Sequence, residues 1–351
     1  MSQVQTPAAA NTEILISREV KPKSFPLELR ILCGFMSFVN DRARRKDGTF
    51  NRRMMNLIEY KCRANSTPTR GVYTKDVVID SQTGVRVRLF VPVEGAEEPL
   101  PVVFYFHGGG FATLSSDFLL YHIFCTRLAR RRRVLVVSVD YRRFPKHRFP
   151  IPYDDCFGAI RWLSSGNDKA HLPGHADLSR CFLMGDRAGA NIVHHVGCRI
   201  SAGATEEETI SGVRIVGHVL LEPFFGGEER TSSELRLVGA PIVNMENSDW
   251  HWKAFLPVGA DRDHPAANVF GPNAPDISAL RLPPTLVVVG GHDPHQDWQL
   301  RYAENLKKIK KDVEVLFYGE GTHAFHIFYQ IDVSSKLISD LHSFMTRCSL
   351  S

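Results

Sequence analysis

From residue 72 almost to the end of the chain, short β-rich runs alternate with stretches of helical periodicity, and this alternation constrains the fold more than any other feature. Strands are expected at 72–79, 85–91, 102–106, 134–141, 180–185, 215–221, 285–289 and 313–318. Helices are expected at 118–131, 154–164, 188–201, 297–308 and 333–348. From the third strand onward the strands are apolar on both faces, as the central strands of a parallel sheet covered by helices must be. The second strand alternates instead, with Arg86 and Arg88 between Val85, Val87, Leu89 and Val91. It groups with the first as an antiparallel pair at the sheet edge. Composition, 43% hydrophobic and 23% charged with 26 Gly and 20 Pro, sits in the ordinary globular range and excludes a coiled coil, a collagen and wholesale disorder.

Two segments stand outside the rhythm. Leu27, Leu29, Ile31, Leu32, Phe35, Met36 and Val39 recur at helical spacing, which predicts an N-terminal amphipathic helix over 25–39. Residues 224–273 interrupt the strand-helix order with Gly226-Gly227-Glu228-Glu229-Arg230 and the aromatic group Trp250-His251-Trp252. We expect a mobile tail over 1–23 and one domain over 24–351, with a lid made from about 24–60 and 224–273.

The net charge of +5 in 351 residues is too small and too dispersed for a nucleic-acid surface. The run Arg130-Arg131-Arg132-Arg133 follows an amphipathic stretch and reads as a solvated helix end, where cations meet the negative end of the helix dipole. Seven scattered cysteines without a C-x-x-C pair point to a reduced intracellular protein, in the cytoplasm with the nucleus as a second compartment. No apolar run reaches membrane-spanning length, so neither membrane nor nucleic acid is an expected partner.

The chemistry concentrates at strand ends. The third strand runs into His107-Gly108-Gly109-Gly110-Phe111, a glycine run whose bare backbone suits an oxyanion hole. The fifth enters Gly185-Asp186-Arg187-Ala188-Gly189, the spacing of a nucleophile elbow, with glycines leaving room for a sharp strand-to-helix turn. Its middle residue is Arg187, whose guanidinium stays protonated and has no lone pair to attack a carbonyl. Asp293 follows the seventh strand and His323 the eighth, so the order elbow, Asp, His is that of an α/β hydrolase, with an eight-stranded, mostly parallel sheet and helices on both faces.

These residues resemble the plant class I carboxylesterases of the hormone-sensitive-lipase group and the gibberellin receptors derived from them. The resemblance spans nearly everything from Phe25 to Cys348; its marks include Asp47-Gly48-Thr49-Phe50-Asn51-Arg52, His107-Gly108-Gly109-Gly110-Phe111, Val139-Asp140-Tyr141-Arg142 and Asp249-Trp250-His251-Trp252. It implies an oxyanion hole from Gly108, Gly109 and the N–H of Ala188, and an Asp293 that orients His323. It also implies a serine, a glycine and an apolar residue at the three places where this chain has Arg187, Ala190 and His295. The receptors lack the catalytic His retained here, and hold their hormone with an Arg and a Tyr at places occupied by Ser248 and His251.

Three readings follow. In the first, the pocket binds or converts a small molecule, with Arg187 and the glycine amides accepting a carboxylate and His323 moving a proton in an elimination or cyclisation. In the second, the protein is a non-catalytic sensor that offers its N-terminal lid to a protein partner. In the third, it is a degenerate esterase with Arg187 held by Asp186. Ser116, Asp186, His251 and Phe325 are the expected ligand contacts. A replacement nucleophile at Ser115 or Ser116 has nothing to place it near His323. A metal on His292, Asp293, His295, Asp297, His323 and His326 competes with the Asp293–His323 pairing, so no metal and no cofactor are expected.

Overall fold

A computed structural model describes residues 26–94, 99–164, 172–205, 209–240 and 242–350; the tail over 1–23 lies outside them. Eight strands form one sheet in the order β1-β2-β4-β3-β5-β6-β7-β8. β1 (Val72–Asp80) pairs antiparallel with β2 (Val85–Pro92), and β2 antiparallel with β4 (Leu135–Asp140). The remaining pairings, through β3 (Leu100–Phe106), β5 (Ala176–Asp186), β6 (Ile215–Leu221), β7 (Thr285–His292) and β8 (Val313–Thr322), are parallel.

Because strand side chains alternate, each central strand feeds two cores. In β3, Val102, Phe104 and Phe106 enter one core and Val103 and Tyr105 the other. The first core is closed by α4 (Ile151–Ser164), α5 (Ala188–Ala202) and α8 (Gln296–Lys308). The second is closed by α3 (Leu119–Arg132) and α9 (Asp332–Leu350), whose Ser334, Leu337, Ile338, Leu341, Phe344, Met345 and Cys348 form one buried stripe at helical spacing. Each fully buried apolar side chain of this kind contributes about 1.5–3 kcal/mol of transfer free energy. The alternation in β2 does not leave Arg88 in solvent. It is 1% exposed, with Nε and Nη2 donating to Asp76 at 2.6 and 2.7 Å and Nη1 to the Cys62 carbonyl at 2.8 Å.

The N-terminal helix α1 runs Leu27–Ala43, and the short α2 Arg52–Met55. The insertion carries α6 (Ser232–Arg236) and α7 (Met245–Phe255), both started by capping boxes, Thr231 with Glu234 and Asn244 with Asn247. The seven cysteines are all free, and no helix among the described residues is long and apolar enough to cross a membrane.

Candidate functional site

The carboxyl ends of β3, β5, β7 and β8 meet at one edge of the sheet, where ligands bind in open α/β sheets. Arg187 forms the turn between β5 and α5 with φ 53° and ψ −111°, a sparsely populated conformation costing of order 1–3 kcal/mol. The turn is held from its backbone: Arg187 N–H donates to the Leu221 carbonyl at 2.8 Å, and its own carbonyl accepts from Phe224 and Asn191, both at 3.0 Å. Gly189 is required because a Cβ there would overlap the carbonyl oxygen of Phe106.

The side chain of Arg187 is 9% exposed and its guanidinium already engaged. Nε donates to Asp186 Oδ2 at 2.9 Å and Nη2 to the Tyr121 hydroxyl at 2.6 Å. Asp186, wholly buried, also accepts from the Tyr105 hydroxyl (2.8 Å), the Tyr121 hydroxyl (2.8 Å) and the Gly108 amide (2.9 Å). Burial opposes its charge, but Arg187, His326 and the Tyr105 hydroxyl hold it far below the usual carboxylate range. Arg187 is held protonated in turn: burial disfavours its charge, and Tyr121 and Asp186 more than compensate.

Behind this pair lies a second buried one. His326 places Nε2 3.4 Å from Asp186 Oδ2 and Nδ1 3.3 Å from Glu222 Oε2, and Glu222 Oε2 also accepts from the Ala324 amide at 2.9 Å. Burial lowers the affinity of His326 for a proton, but Asp186 and Glu222 raise it further. Burial, aided by Asp293, raises that of Glu222.

His323 sits beyond β8 with Nδ1 3.1 Å from Asp293 Oδ2. Asp293 is also held by Gln299 Nε2 (2.9 Å) and by the His295 amide (2.9 Å to Oδ1). Despite burial, His323 and His295 keep Asp293 ionised far below the ordinary range. His295 Nε2 meets the Ser248 hydroxyl of α7 at 2.9 Å, and burial pushes its imidazole down to about 4.

The glycine run divides its tasks. Gly108 faces inward, its N–H committed to Asp186 and to the Tyr121 hydroxyl (2.8 Å), and a Cβ there would lie 2.6 Å from Asp186 Oδ2. Gly109 and Gly110 line the cavity instead.

That cavity encloses about 740 Å³ of non-atom space, mouth included. Its floor is Gly109, Gly110, Arg187, Ala188, His295 and His323; its roof is Met36, Ser37 and Asn40 of α1 with Asn247, Ser248 and His251 of α7. The roof is joined across the two segments by the Ile242 amide donating to Ser37 Oγ (3.0 Å) and Trp250 Nε1 donating to the Arg45 carbonyl (2.7 Å).

Of the residues anticipated from sequence, Arg187, Ala188, Gly109, His251 and His323 line this space, with Asp293 directly behind His323. Gly108 and Asp186 lie beneath the floor. Ser116 is buried without lining the cavity, and Phe325 packs against Tyr318 in the core under α9, at 5.2 Å between ring centroids. Tyr105, Tyr121 and Gln299 escape sequence reasoning because each is an interior residue of its own strand or helix, and Glu222, in the bend just past β6, because no motif marks it; each acquires its role only through a neighbour distant in sequence. Asp293, His295 and His323 bring one donor atom each within 4.8 Å of one another, the spacing of a metal trio, but Asp293 Oδ2 already accepts from His323 and Gln299.

A family model described as alpha/beta hydrolase fold matches residues 103–327. The gibberellin receptor GID1C of Arabidopsis thaliana is 40% identical over 316 residues, covering 86% of this chain and 89% of the receptor. Carboxylesterase 20 of the same plant is 35% identical over 82% of this chain and 88% of its own length. An esterase from Pyrobaculum calidifontis superposes with a TM-score of 0.70 at 25% identity, covering 94% of this chain and all of the esterase.

Proposed function

Starting from the α/β-hydrolase family, to which this chain belongs beside gibberellin receptors and plant carboxylesterases, we propose that it binds a small molecule in the roofed cavity without acyl-enzyme hydrolysis. One observation carries the reading: the elbow, built as a hydrolase builds it, presents a guanidinium tied to Asp186 and Tyr121 where attack on a carbonyl needs a hydroxyl. α1 and α7 act as the lid. With Nε and one Nη2 hydrogen engaged, the second Nη2 hydrogen and both Nη1 hydrogens are left to a ligand, and a carboxylate is the group that suits them. Because Asp186 already neutralises most of the charge, the preference for an acid is one of hydrogen bonding more than of net charge. Ser248 and His251, where the resemblance to the receptors implies Arg and Tyr, argue for a ligand other than gibberellin.

A second reading is favoured by the intact Asp293–His323 pair, supported by Gln299. His323 could take a proton from a bound ligand without any nucleophile, as an elimination or cyclisation requires. A thermal-shift screen of small plant carboxylic acids against their methyl esters tests the binding. The acids should stabilise the wild type more than the esters, and Arg187→Ala should weaken acid binding about ten-fold, the loss of one charge-assisted hydrogen bond worth ~1.5 kcal/mol. Equal shifts for acid and ester in both proteins would refute it. Wild type should also resist fluorophosphonate labelling.

A further inference from the structure

A second groove shares no lining residue with the roofed cavity. It runs between the segment at residues 60–74, the outer face of α3 and the first turn of α9, and holds about 1820 Å³ of non-atom space counted to its open mouth. Lys61, Arg63, Arg70, Arg127, Arg130 and Arg131 line it, and no Asp or Glu does. Lys61 reaches Asp117 at 3.4 Å; the five arginines form no ion pair among the described residues. The negative end of the α3 dipole accounts for Arg130 and Arg131. It does not account for Arg63 and Arg70, which reach the groove from another segment, nor for Arg127.

Arg127 is the most informative of the six. Three half-buried arginines elsewhere, Arg86, Arg142 and Arg143, each meet a carboxylate, whereas Arg148 reaches only the Leu256 carbonyl among the described residues. Arg127 instead donates Nη1 to Ser334 Oγ (3.1 Å) and Nη2 to Ser335 Oγ (3.0 Å), neutral groups in the first turn of α9. Burial and the neighbouring charge of Arg131 both disfavour its cation. A cation held beside another cation, at the positive end of a helix and over neutral hydroxyls, lacks its counter-charge.

We propose that this groove is a binding site for a polyphosphorylated anion, with one phosphate shared by Arg127, Arg131 and the Ser335 hydroxyl and the remaining cations taking the others. Arginine forks match phosphate oxygens bidentately, and several phosphates on a small scaffold supply enough charge for the five arginines that no carboxylate pairs among the described residues. The same chemistry is offered by a free inositol polyphosphate and by a phosphoinositide headgroup.

Calorimetric titration of the full chain with myo-inositol hexakisphosphate should show one site whose affinity falls as salt rises. Sedimentation with phosphatidylcholine vesicles, with and without phosphatidylinositol 4,5-bisphosphate, separates the sources: free ligand bound without vesicle recruitment assigns a soluble anion, and recruitment assigns a headgroup as well. The double variant Arg127→Gln/Arg131→Gln should bind at least ten-fold more weakly, while Arg187→Ser binds as wild type. If the first double variant does not fold, Arg63→Gln/Arg70→Gln, exposed and outside helices and strands, should show the same loss. Absence of binding to both probes, unchanged affinity in a folded double variant, or equal affinity for a poly-glutamate peptide would each overturn the proposal.

Discussion

Arg187→Ser tests whether the site is a hydrolase lacking only its hydroxyl. The variant loses two hydrogen bonds, to Asp186 (2.9 Å) and Tyr121 (2.6 Å). Asp186 keeps the Tyr105, Tyr121 and Gly108 donors at 2.8–2.9 Å and the nearby His326, so the cost sits at the low end for breaking a buried ion pair, about 3 kcal/mol. The elbow backbone is held by Leu221, Phe224 and Asn191 and stays in place. The new hydroxyl would face the cavity that His323 also lines, with Asp293 and Gln299 behind the imidazole. Because loss of a triad nucleophile costs on the order of 10⁴–10⁶ in rate, a partial restoration should raise p-nitrophenyl butyrate hydrolysis at least ~10³-fold over wild type. Fluorophosphonate labelling of the introduced serine should appear with it, and His323→Ala in the same background should abolish both. A variant with a cooperative thermal transition that neither labels nor hydrolyses several acyl lengths would refute the reasoning.

Three further outcomes are expected. Asp186→Asn should cost about 3–5 kcal/mol in chemical denaturation, more than Arg187→Ser, because it leaves a buried guanidinium without its counter-charge. Gly189→Ala should destabilise by more than ~3 kcal/mol or prevent folding, since the added methyl meets a backbone carbonyl that cannot retreat. His295 is neutral in the folded protein down to about pH 4, whereas an unfolded imidazole takes its proton near ~6.5. Between those values the unfolded state binds the extra proton, so stability falls as pH drops; His295→Leu should reduce that slope by about 1.4 kcal/mol per pH unit, read from urea melts at pH 6 and 4.5.

The sheet was legible because its central strands are apolar on both faces over lengths too short for helices, as in Val102–Phe106 read against the observed Leu100–Phe106. Its edges were less so. β7 and β8 continue through Gly290-Gly291 and Gly319-Glu320-Gly321, where glycine reads as a stop, yet the two strands pack so closely there that a Cβ on Gly291 would lie 2.6 Å from the Gly319 carbonyl oxygen. Helix α4 starts at Ile151, before the expected Asp154, since Pro152 in the first turn needs no amide partner and does not break it. Helix α7 is visible in the sequence only as an aromatic cluster; its signal, Asn244 capping Asn247, lies just upstream. Within the site, the elbow, Asp293 and His323 follow from motif order. That Gly108 serves Asp186 while Gly110 lines the cavity depends on which way each peptide turns, and three consecutive glycines carry no side-chain pattern to say so.

The contacts of Asp186 partition the site mechanically. One carboxylate fastens β3 through Tyr105, α3 through Tyr121, the glycine loop through Gly108 and the elbow through Arg187, with His326 from the turn after His323 close by. A floor pinned at so many points behaves as a single stiff plate and has little room to reshape around different guests. The roof is joined across its two segments by two hydrogen bonds, Ser37–Ile242 and Trp250–Arg45, fewer than those that pin the floor, so of the two walls it is the one expected to give. On the proposed binding function, discrimination among ligands of differing outline would fall to Met36, Asn40, Asn247 and His251, and altered selectivity is to be sought by varying those four side chains rather than the elbow beneath them.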